Sequence, residues 1–361
     1  MVAPTELLVS RPRERLAYAV SDSGHRSSYS DLLSSMFGLE SVVGKMTPAL
    51  FGRLVRADQL LFSTLDDDPV SFAIVAAVRA ALRRRTVGLF IRPQTCFENG
   101  KLIYVAKRIA FKALRRLPRL TVATLTPFQG APEYAEVAHV GLVDPQYWDL
   151  FDGVRVHEPR ATGLSTSVLA RANGRRVCCA FGSQTLSKGF SFLAETLERY
   201  PDILDETLVV CAGLVLPDAV NVASKLDELG VLIVNRFVSD EELWSLYGVS
   251  DIIWACYGED RNQSSGVYGR AIQLGIPTII REDSLISRFS RLHGIAHFPV
   301  AVGDHAQLAK LLLRIAGKER GETKGKRGVQ LGSWRRQFET TIASALVNPP
   351  AVLSPKTRPT R

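Results

Sequence analysis

The chain has 361 residues, a formal net charge of +9, and 46% hydrophobic against 22% charged residues. This length favours two domains, and the apolar content excludes a disordered chain. No stretch reaches the roughly 20 apolar residues of a spanning helix, and we expect no signal peptide. We expect neither cofactor nor metal, because the cysteines lack ligand spacing and fit reduced core residues of a cytoplasmic protein: Cys96, Cys178, Cys179, Cys211 and Cys256.

The first half predicts alternating strands and helices after a polar lead-in. Strands are expected over residues 16–20, 57–64, 86–92 and 120–126, with helices ending near residue 37 and covering 70–84. The first strand, its Gly-containing turn and the next helix form the opening βα step of a Rossmann-like domain. Three adjacent acids, Asp66 to Asp68, could suggest the metal-binding Asp-x-Asp of GT-A transferases, but acids before a helix also suit its dipole.

Residues 101–120 hold seven cations and no acid, with aliphatic residues and Phe111 at roughly helical spacing. A basic amphipathic helix is typical of an element that binds an anionic membrane surface. We expect Leu102, Ile109 and Phe111 to insert there, and the following residues to face the membrane: Lys107, Arg108, Lys112, Arg115 and Arg116. A solvated surface helix is the alternative, and no nucleic-acid motif is present.

The second half again predicts alternation, which gives a parallel sheet with helices on both faces. Strands are expected over residues 176–181, 206–213, 231–234, 252–257 and 278–280. Helices are expected over 189–200, 217–230, 267–274, 308–316 and 334–346. Residues 317–328 form a charged loop, and residues 349–361 a disordered tail.

The stretch from 238 to 281 carries the strongest functional pattern: helix, strand, polar loop, helix, Gly-x-Pro, strand. The loop lies at the carboxyl end of a buried strand, where ligands bind in open α/β sheets. Ser264, Ser265 and Gly266 open the second helix, so their backbone N–H groups are candidates for an anion such as a diphosphate. Simple helix capping is the alternative.

This stretch, and the segment from Gly182 to Lys188-Gly189, resemble the C-terminal domain of GT-B glycosyltransferases, closest to the retaining family 4. The resemblance covers residues 176–281. It implies an α/β GT-B fold in which two Rossmann-like domains face a cleft and a C-terminal helix returns to the first domain. We expect an acceptor domain over 1–155, a nucleotide-sugar domain over 174–330 and a crossing helix over 331–348. Three family positions differ: the paired acids fall on Asn262 and Arg270, and an arginine falls on Ser183.

The resemblance also implies site residues. Lys188 and the turn at Ser264 would bind the donor diphosphate without metal, Glu259 or Asp260 the ribose and Phe237-Val238 the base. The donor-binding set is Gly182, Lys188, Phe237, Val238, Glu259, Ser264, Ser265 and Gly266. Some relatives carry a similar Gly-His-Arg-x-x-Tyr, here from Gly24 to Tyr29. His25 is therefore the candidate catalytic residue, although a capping histidine is the alternative. Gly24, Arg26 and Arg92 are expected on the acceptor side.

We therefore predict a retaining hexosyltransferase that moves sugar from a nucleotide-diphosphate sugar to a lipid-linked or saccharide acceptor in surface polysaccharide synthesis. It would be cytoplasmic and peripheral at the inner face of the membrane, and would bind no nucleic acid. Two alternatives stay open. A nucleotide-sugar epimerase of the same fold would place several carboxylates in the cleft. A non-catalytic GT-B-like binding protein would explain the acids missing at Asn262 and Arg270.

Overall fold

The computed structural model describes residues 14–21, 25–98, 102–154, 156–316 and 330–347, with the backbone alone at 25–28 and 316. The chain divides into two compact units. Unit 1 comprises Met1–Phe128, Glu133–Leu142 and Gln337–Arg361, and unit 2 comprises Gln129–Pro132 and Val143–Arg336.

Unit 1 is built on a parallel sheet in the order β2-β1-β3-β4-β5-β6. Its strands are β1 Arg15–Ala19, β2 Glu40–Val43, β3 Gln59–Phe62, β4 Thr86–Phe90, β5 Leu120–Thr124 and β6 Val140–Gly141. Its helices are α1 His25–Phe37, α2 Pro48–Arg56, α3 Pro69–Ala81 and α4 Leu102–Leu114. The strand order reverses between β1 and β3, which marks a topological switch point of a doubly wound sheet.

Aromatic packing holds the helices of unit 1 on its sheet. Phe72 of α3 lies 6.4 Å from Phe111 of α4, and Phe111 lies 4.5 Å from Phe90 of β4. All three rings are fully buried. Arg79 is buried as well, and its guanidinium donates to the carbonyls of Leu54 and Ala57 at 2.7 Å each. Burial lowers the pKa of Arg79 to about 10, so this charge is tolerated because backbone oxygens satisfy it.

Unit 2 is built on a second parallel sheet in the order β12-β11-β10-β7-β8-β9. Its strands are β7 Arg176–Phe181, β8 Thr207–Ala212, β9 Leu232–Val234, β10 Ile252–Ala255, β11 Thr278–Arg281 and β12 Phe298–Val300. Its helices are α5 Gly163–Ala172, α6 Phe190–Arg199, α7 Ile203–Glu206, α8 Val220–Glu228, α9 Asp240–Val249, α10 Gly266–Gln273, α11 Leu285–Leu292 and α12 His305–Ala316. The last helix, α13 Leu331–Val347, begins in unit 2 and ends in unit 1.

The predicted α/β class with two Rossmann-like sheets and a returning C-terminal helix is confirmed. All five cysteines are free and buried, as expected. Seven elements were not predicted: β2, α2, β6, α5, α7, α11 and β12. Across the described ranges, no group of three metal-ligating side chains is placed to hold an ion. No helix described here combines the length and the apolar content needed to cross a bilayer.

Candidate functional site

The carboxyl edge of the unit 2 sheet forms a switch point between β7 and β10. Ile253 pairs with Cys179 and Ala255 pairs with Ile280. Continuing this register aligns Gly182, Cys256 and Arg281 in one row at the strand ends. The loops after β7, β10 and β11 therefore meet at the edge where doubly wound sheets bind ligands.

The turn after β7 buries the amino group of Lys188. The Nζ atom donates to the carbonyl oxygen of Phe181 at 2.6 Å, and the residue is only 7% exposed. Gly182 has φ +79°, and a Cβ there would lie 3.0 Å from this Nζ atom. The glycine thus lets the backbone turn above the lysine and leaves its amino group uncovered by a side chain.

Three contacts lock this turn onto the end of β10. The Gly258 N–H donates to the Ser187 carbonyl at 2.8 Å, and the Trp254 indole donates to the Lys188 carbonyl at 2.9 Å. A Cβ at Gly189, which has φ +76°, would overlap the carbonyl oxygen of Cys256. The lysine is therefore positioned by contacts to the backbone of its own turn.

The environment of Lys188 disfavours its charge. Burial, and then the positive charge of Arg261, lower the pKa of Lys188 to about 7. A buried ammonium with a lowered pKa regains its charge when an anion binds beside it. The amino group is therefore poised to respond to an anionic ligand near neutral pH.

The loop after β10 crosses the strand ends. Its Arg261 guanidinium lies 5.3 Å from the centre of the Tyr257 ring, within the range of a cation–π contact. Asn262 accepts a hydrogen bond from the Leu285 N–H at 2.7 Å and so ties the loop to the start of α11. Glu259 and Asp260 are exposed on this loop.

The start of α10 is more enclosed than the sequence predicted. Ser265 caps the helix by accepting from the Tyr268 N–H at 3.3 Å, and its hydroxyl lies 3.0 Å from the Tyr257 hydroxyl. The Tyr147 hydroxyl accepts from the Ser265 N–H at 3.5 Å. A Cβ at Gly266 would overlap the Gln146 side chain. Tyr147 and Gln146 therefore cover part of the N-terminus of α10.

Arg270, which stands where the resemblance would place an acid, forms an ion pair within unit 2. Arg270 lies 3.6 Å from the carboxylate of Asp149, and the Gln273 amide donates to the same carboxylate at 2.8 Å. Gln273 also accepts from the Leu150 N–H at 3.0 Å. Burial raises the pKa of Asp149, and Arg270 opposes this shift. This network fastens the 144–150 segment to α10.

Three cations surround this edge without a carboxylate partner in the described part of the chain: Lys188, Arg261 and Arg281. Their neighbours Glu259, Asp260, Glu282 and Asp283 are solvent-exposed. The Nε–H of Arg281 is buried and makes no hydrogen bond. The sequence analysis missed Arg261 and Arg281, although Arg281 ends a strand of this sheet and Arg261 is the first cation after another.

The segment predicted to hold the base lies after β9. Phe237 is 74% exposed, and Val238 packs against the core beneath it. Arg236 forms a two-point ion pair with Glu242 of α9 at 2.6 and 2.8 Å. The aromatic face of Phe237 is therefore available for stacking, while Arg236 is held by its acid.

The protein resembles known proteins in its fold and not in its sequence. No protein-family model matches the chain, and no curated protein matches it in sequence. Solved structures do match. HepE of Anabaena, solved with UDP and glucose, aligns with a TM-score of 0.59 at 14% identity, over 92% of this chain and 100% of that chain.

Two further structures align over similar lengths. Sucrose-phosphate synthase of Thermosynechococcus elongatus has a TM-score of 0.55 at 13% identity, over 93% of this chain and 97% of that chain. A Listeria monocytogenes protein assigned as a UDP-N-acetylglucosamine 2-epimerase has a TM-score of 0.57 at 10% identity, over 92% of this chain and 96% of that chain. The fold is GT-B.

Unit 1 of the GT-B fold carries the predicted acceptor-side residues. Gly24 lies outside the described residues, as do the side chains of His25 and Arg26; the helix α1 begins at His25. Arg92 follows β4 and lies 3.7 Å from the carboxylate of Asp67. Asp66 accepts from the Ile91 N–H at 2.6 Å, and Asp68 caps α3. The three acids thus fasten loops and a helix.

Four of the basic residues in and just after α4 pair with other groups of unit 1. Lys107 is 3.7 Å from Asp66 and donates to Thr95 at 2.8 Å. Arg108 and Lys112 both pair with Glu136, at 2.6 and 2.5 Å. Arg115 donates to the Ala135 carbonyl, and Arg116 is exposed.

One of the three residues predicted to insert at a membrane lies instead on the buried side of α4. Phe111 is 1% exposed, so its predicted insertion at a membrane is wrong. Leu102 is 89% exposed and Ile109 is 62% exposed. The outward side of the helix is largely aliphatic, and Lys112 near its C-terminal end is exposed as well.

Proposed function

We propose that the protein is a glycosyltransferase whose nucleotide-diphosphate sugar binds at the carboxyl edge of the unit 2 sheet. One observation carries this proposal: Lys188 and its neighbour Arg261 lie at a switch point and make no ion pair with the described residues. Unpaired cations in a half-buried place cost free energy until an anion binds. A diphosphate is the anion that this fold's solved relative HepE holds as UDP.

In this proposal the protein acts mainly by neutralising the leaving group. Lys188, recharged on binding, donates to a donor phosphate, and the bare Gly182 backbone admits that phosphate to the amino group. Negative charge that develops on the departing nucleoside diphosphate is then stabilised by fixed cations in place of water. No metal is needed for this step.

The remaining predicted donor residues keep secondary roles. Phe237 and Val238 would hold the base, Glu259 the ribose hydroxyls, and Ser264, Ser265 and Gly266 would border the phosphate site. On unit 1, His25 would act on the acceptor hydroxyl, with Gly24, Arg26 and Arg92 on the acceptor side. Transfer of a hexose with retention, in surface polysaccharide synthesis, completes the proposal.

Calorimetric titration with UDP tests the donor site. The wild type should bind UDP equally with and without a chelator. Lys188→Gln should weaken binding at least tenfold, about 1.4 kcal/mol. Arg288→Gln, which removes one exposed charge from α11, should leave binding unchanged. Equal loss in both variants, or loss of binding on chelation, would contradict the site.

An epimerase is the second candidate, favoured by the match to the Listeria protein. Such an enzyme releases a changed sugar without an acceptor and relies on carboxylates in its site. Among the described residues, the acids next to Arg261 and Arg281 in sequence are exposed, which favours a transferase. Incubating a UDP-sugar without acceptor and analysing the recovered sugar by NMR separates the two, since a transferase leaves its configuration unchanged. A non-catalytic binding protein would bind UDP but would neither transfer nor epimerise the sugar.

We also propose that unit 1 docks on an anionic membrane, where a lipid-linked acceptor would be found. The contact is the aliphatic face, defined by exposed residues of α3, of its C-cap and of α4: Val70, Ile74, Val78, Leu82, Leu102, Ile103, Val105 and Ile109. The two helices lie on one side of the sheet, since Phe72 stacks on Phe111 and right-handed crossovers from β3 to β4 to β5 advance in one direction.

The chemistry of this face fits a bilayer better than water. Neither α3 nor α4 contains an acid, while the exposed cations Lys112 and Arg116 lie at one end. Aliphatic insertion and attraction to anionic headgroups act together in such helices.

Sedimentation with vesicles of phosphatidylglycerol and phosphatidylcholine tests this face. Replacing Leu102 and Ile109 together with Ser should reduce the bound fraction severalfold. Arg116→Gln, which removes an exposed charge, should reduce it less, and mainly at low salt. Replacing Arg108 with Gln should not reduce vesicle binding, because that residue pairs with Glu136. Wild-type protein that ignores anionic vesicles at low salt would contradict the proposal.

A further inference from the structure

The donor site of unit 2 holds more positive charge than a diphosphate requires. Each phosphate of a nucleotide sugar carries one negative charge, and Lys188 with Arg261 on the adjoining loop can match both. Arg281 is then left over. Arg270 does not compete for this role, since Asp149 already pairs with it.

Arg281 stands apart from the other two cations along the sheet edge. It ends β11 and lies opposite Cys256, whereas Gly182 lies on the far side of Cys256. Two strand spacings separate Arg281 from Gly182, roughly 10 Å. Two anionic groups of one ligand could therefore contact both ends if a sugar ring separated them.

Side-chain alternation places Arg281 on the same side of the sheet as Lys188. Ile279, two residues earlier in β11, belongs to the same buried cluster as Trp254 and Cys256. The Trp254 indole donates to the Lys188 carbonyl on that side. The charge of Arg281 is felt at the Cys256 thiol, whose pKa it lowers against a larger rise from burial.

Arg281 also has an unused hydrogen-bond donor. Its Nε–H is buried and makes no hydrogen bond, and within the described residues no carboxylate pairs with its guanidinium. The exposed Glu282 and Asp283 follow it in sequence without pairing. A guanidinium with a free planar edge matches a carboxylate in a two-point contact.

We propose that the sugar of the donor carries a carboxylate, so that the substrate class is a nucleotide-activated uronic acid, and that Arg281 binds this carboxylate. The inference rests on the proposed donor site and extends it from the diphosphate to the transferred sugar. Arg281 thereby sets donor specificity. Asn262 and Arg270 occupy the two positions where the family carries acids. The lack of acids there agrees with a donor whose own carboxylate would be repelled by them.

Calorimetry with three probes separates this inference from the donor site itself. UDP, UDP-glucose and UDP-glucuronic acid are titrated into the wild type, Arg281→Gln and Lys188→Gln. The wild type should bind UDP-glucuronic acid at least tenfold tighter than UDP-glucose. Arg281→Gln should abolish this preference and change the Kd of UDP less than twofold. Lys188→Gln should weaken all three probes.

Each result decides one of the two claims. Equal affinity of the wild type for the two UDP-sugars, or a preference that survives in Arg281→Gln, would overturn the role of Arg281. Loss of UDP binding in Arg281→Gln would overturn it too, since the arginine would then serve the phosphates. Failure of the wild type to bind UDP would instead contradict the donor site. Arg288→Gln is the matched control and should behave as wild type.

Discussion

The carboxyl edges of the two sheets handle positive charge in opposite ways. At the edge of unit 1, Lys107 and Arg92 lie beside Asp66 and Asp67. At the edge of unit 2, Lys188 and Arg281 have no such partner in the described chain, and a backbone carbonyl is all that holds the amino group of Lys188. The same kind of strand end therefore carries a neutralised cation in one unit and an unneutralised one in the other.

This difference separates cations that build the fold from cations that await a ligand. A buried pair is costly to break, because removing one partner leaves the other charge unpaired. A buried cation without a partner is costly to keep, so its presence needs a compensating function. Mutation should therefore reduce stability in unit 1 and binding in unit 2.

The largest effect is expected in unit 1. Asp66 has a side chain only 3% exposed, and burial raises its pKa while Lys107 opposes the rise. Lys107→Met should cost about 2–4 kcal/mol of unfolding free energy. Adding Asp66→Asn should recover part of the loss. Chemical denaturation measures both, with Lys112→Met as the control, since its pair with Glu136 is exposed and should cost at most ~1 kcal/mol. Equal losses of unfolding free energy at both lysines would contradict the distinction between the buried and the exposed ion pair.

Some of this organisation was available from the sequence. Lys188, Gly182 and Gly189 could be found because a glycine after a strand and a Lys-Gly before a helix form a local pattern. The periodicity of α10 and the Gly275–Pro277 stop likewise defined the strand-loop-helix unit. Local chemistry fixed these features, so the structure agrees with them.

Features that depend on distant partners could not be predicted. The seven cations of residues 101–119 suggested a basic surface, but Glu136 and Asp66 are far away in sequence and turn Arg108 and Lys107 inward. Phe111 could not be assigned to the core without its neighbour Phe90. The short strand β12 contains Pro299, which argues against a strand in sequence analysis.

The next effect concerns the backbone that positions Lys188. Gly189→Ala combines a φ of +76° with overlap of the Cys256 carbonyl. It should cost about 2–3 kcal/mol and weaken UDP binding as well. Gly230→Ala is the matched control, because Gly230 has φ +95° and nothing within 4 Å of a Cβ; it should cost about 1–2 kcal/mol and leave UDP binding intact. Equal behaviour of the two in both assays would argue against the close approach.

A smaller effect is expected at Phe237, which is proposed to stack on the nucleotide base. Phe237→Ala removes an exposed ring, and loss of one stacking contact is worth about 1 kcal/mol. The Kd of UDP should rise about fivefold with no change in unfolding free energy. Leu292→Ala removes another exposed hydrophobic side chain of unit 2 and should change neither. An unaltered UDP affinity in Phe237→Ala would place the base elsewhere.

Proton uptake on donor binding tests the central claim most directly. The pKa of free Lys188 is about 7, and a bound diphosphate should raise it. Binding should then take up roughly 0.7 proton at pH 7.5, and affinity should fall about tenfold from pH 6 to pH 8. UDP-glucose is the suitable probe, because its phosphates do not titrate near neutral pH.

Calorimetry of UDP-glucose in two buffers of different ionisation enthalpy gives this uptake. The account predicts uptake in the wild type, in Arg288→Gln and in Phe237→Ala, and none in Lys188→Gln. Binding by the wild type without proton uptake, or uptake that persists in Lys188→Gln, would contradict the assignment of Lys188 as the unpaired cation that receives the donor diphosphate.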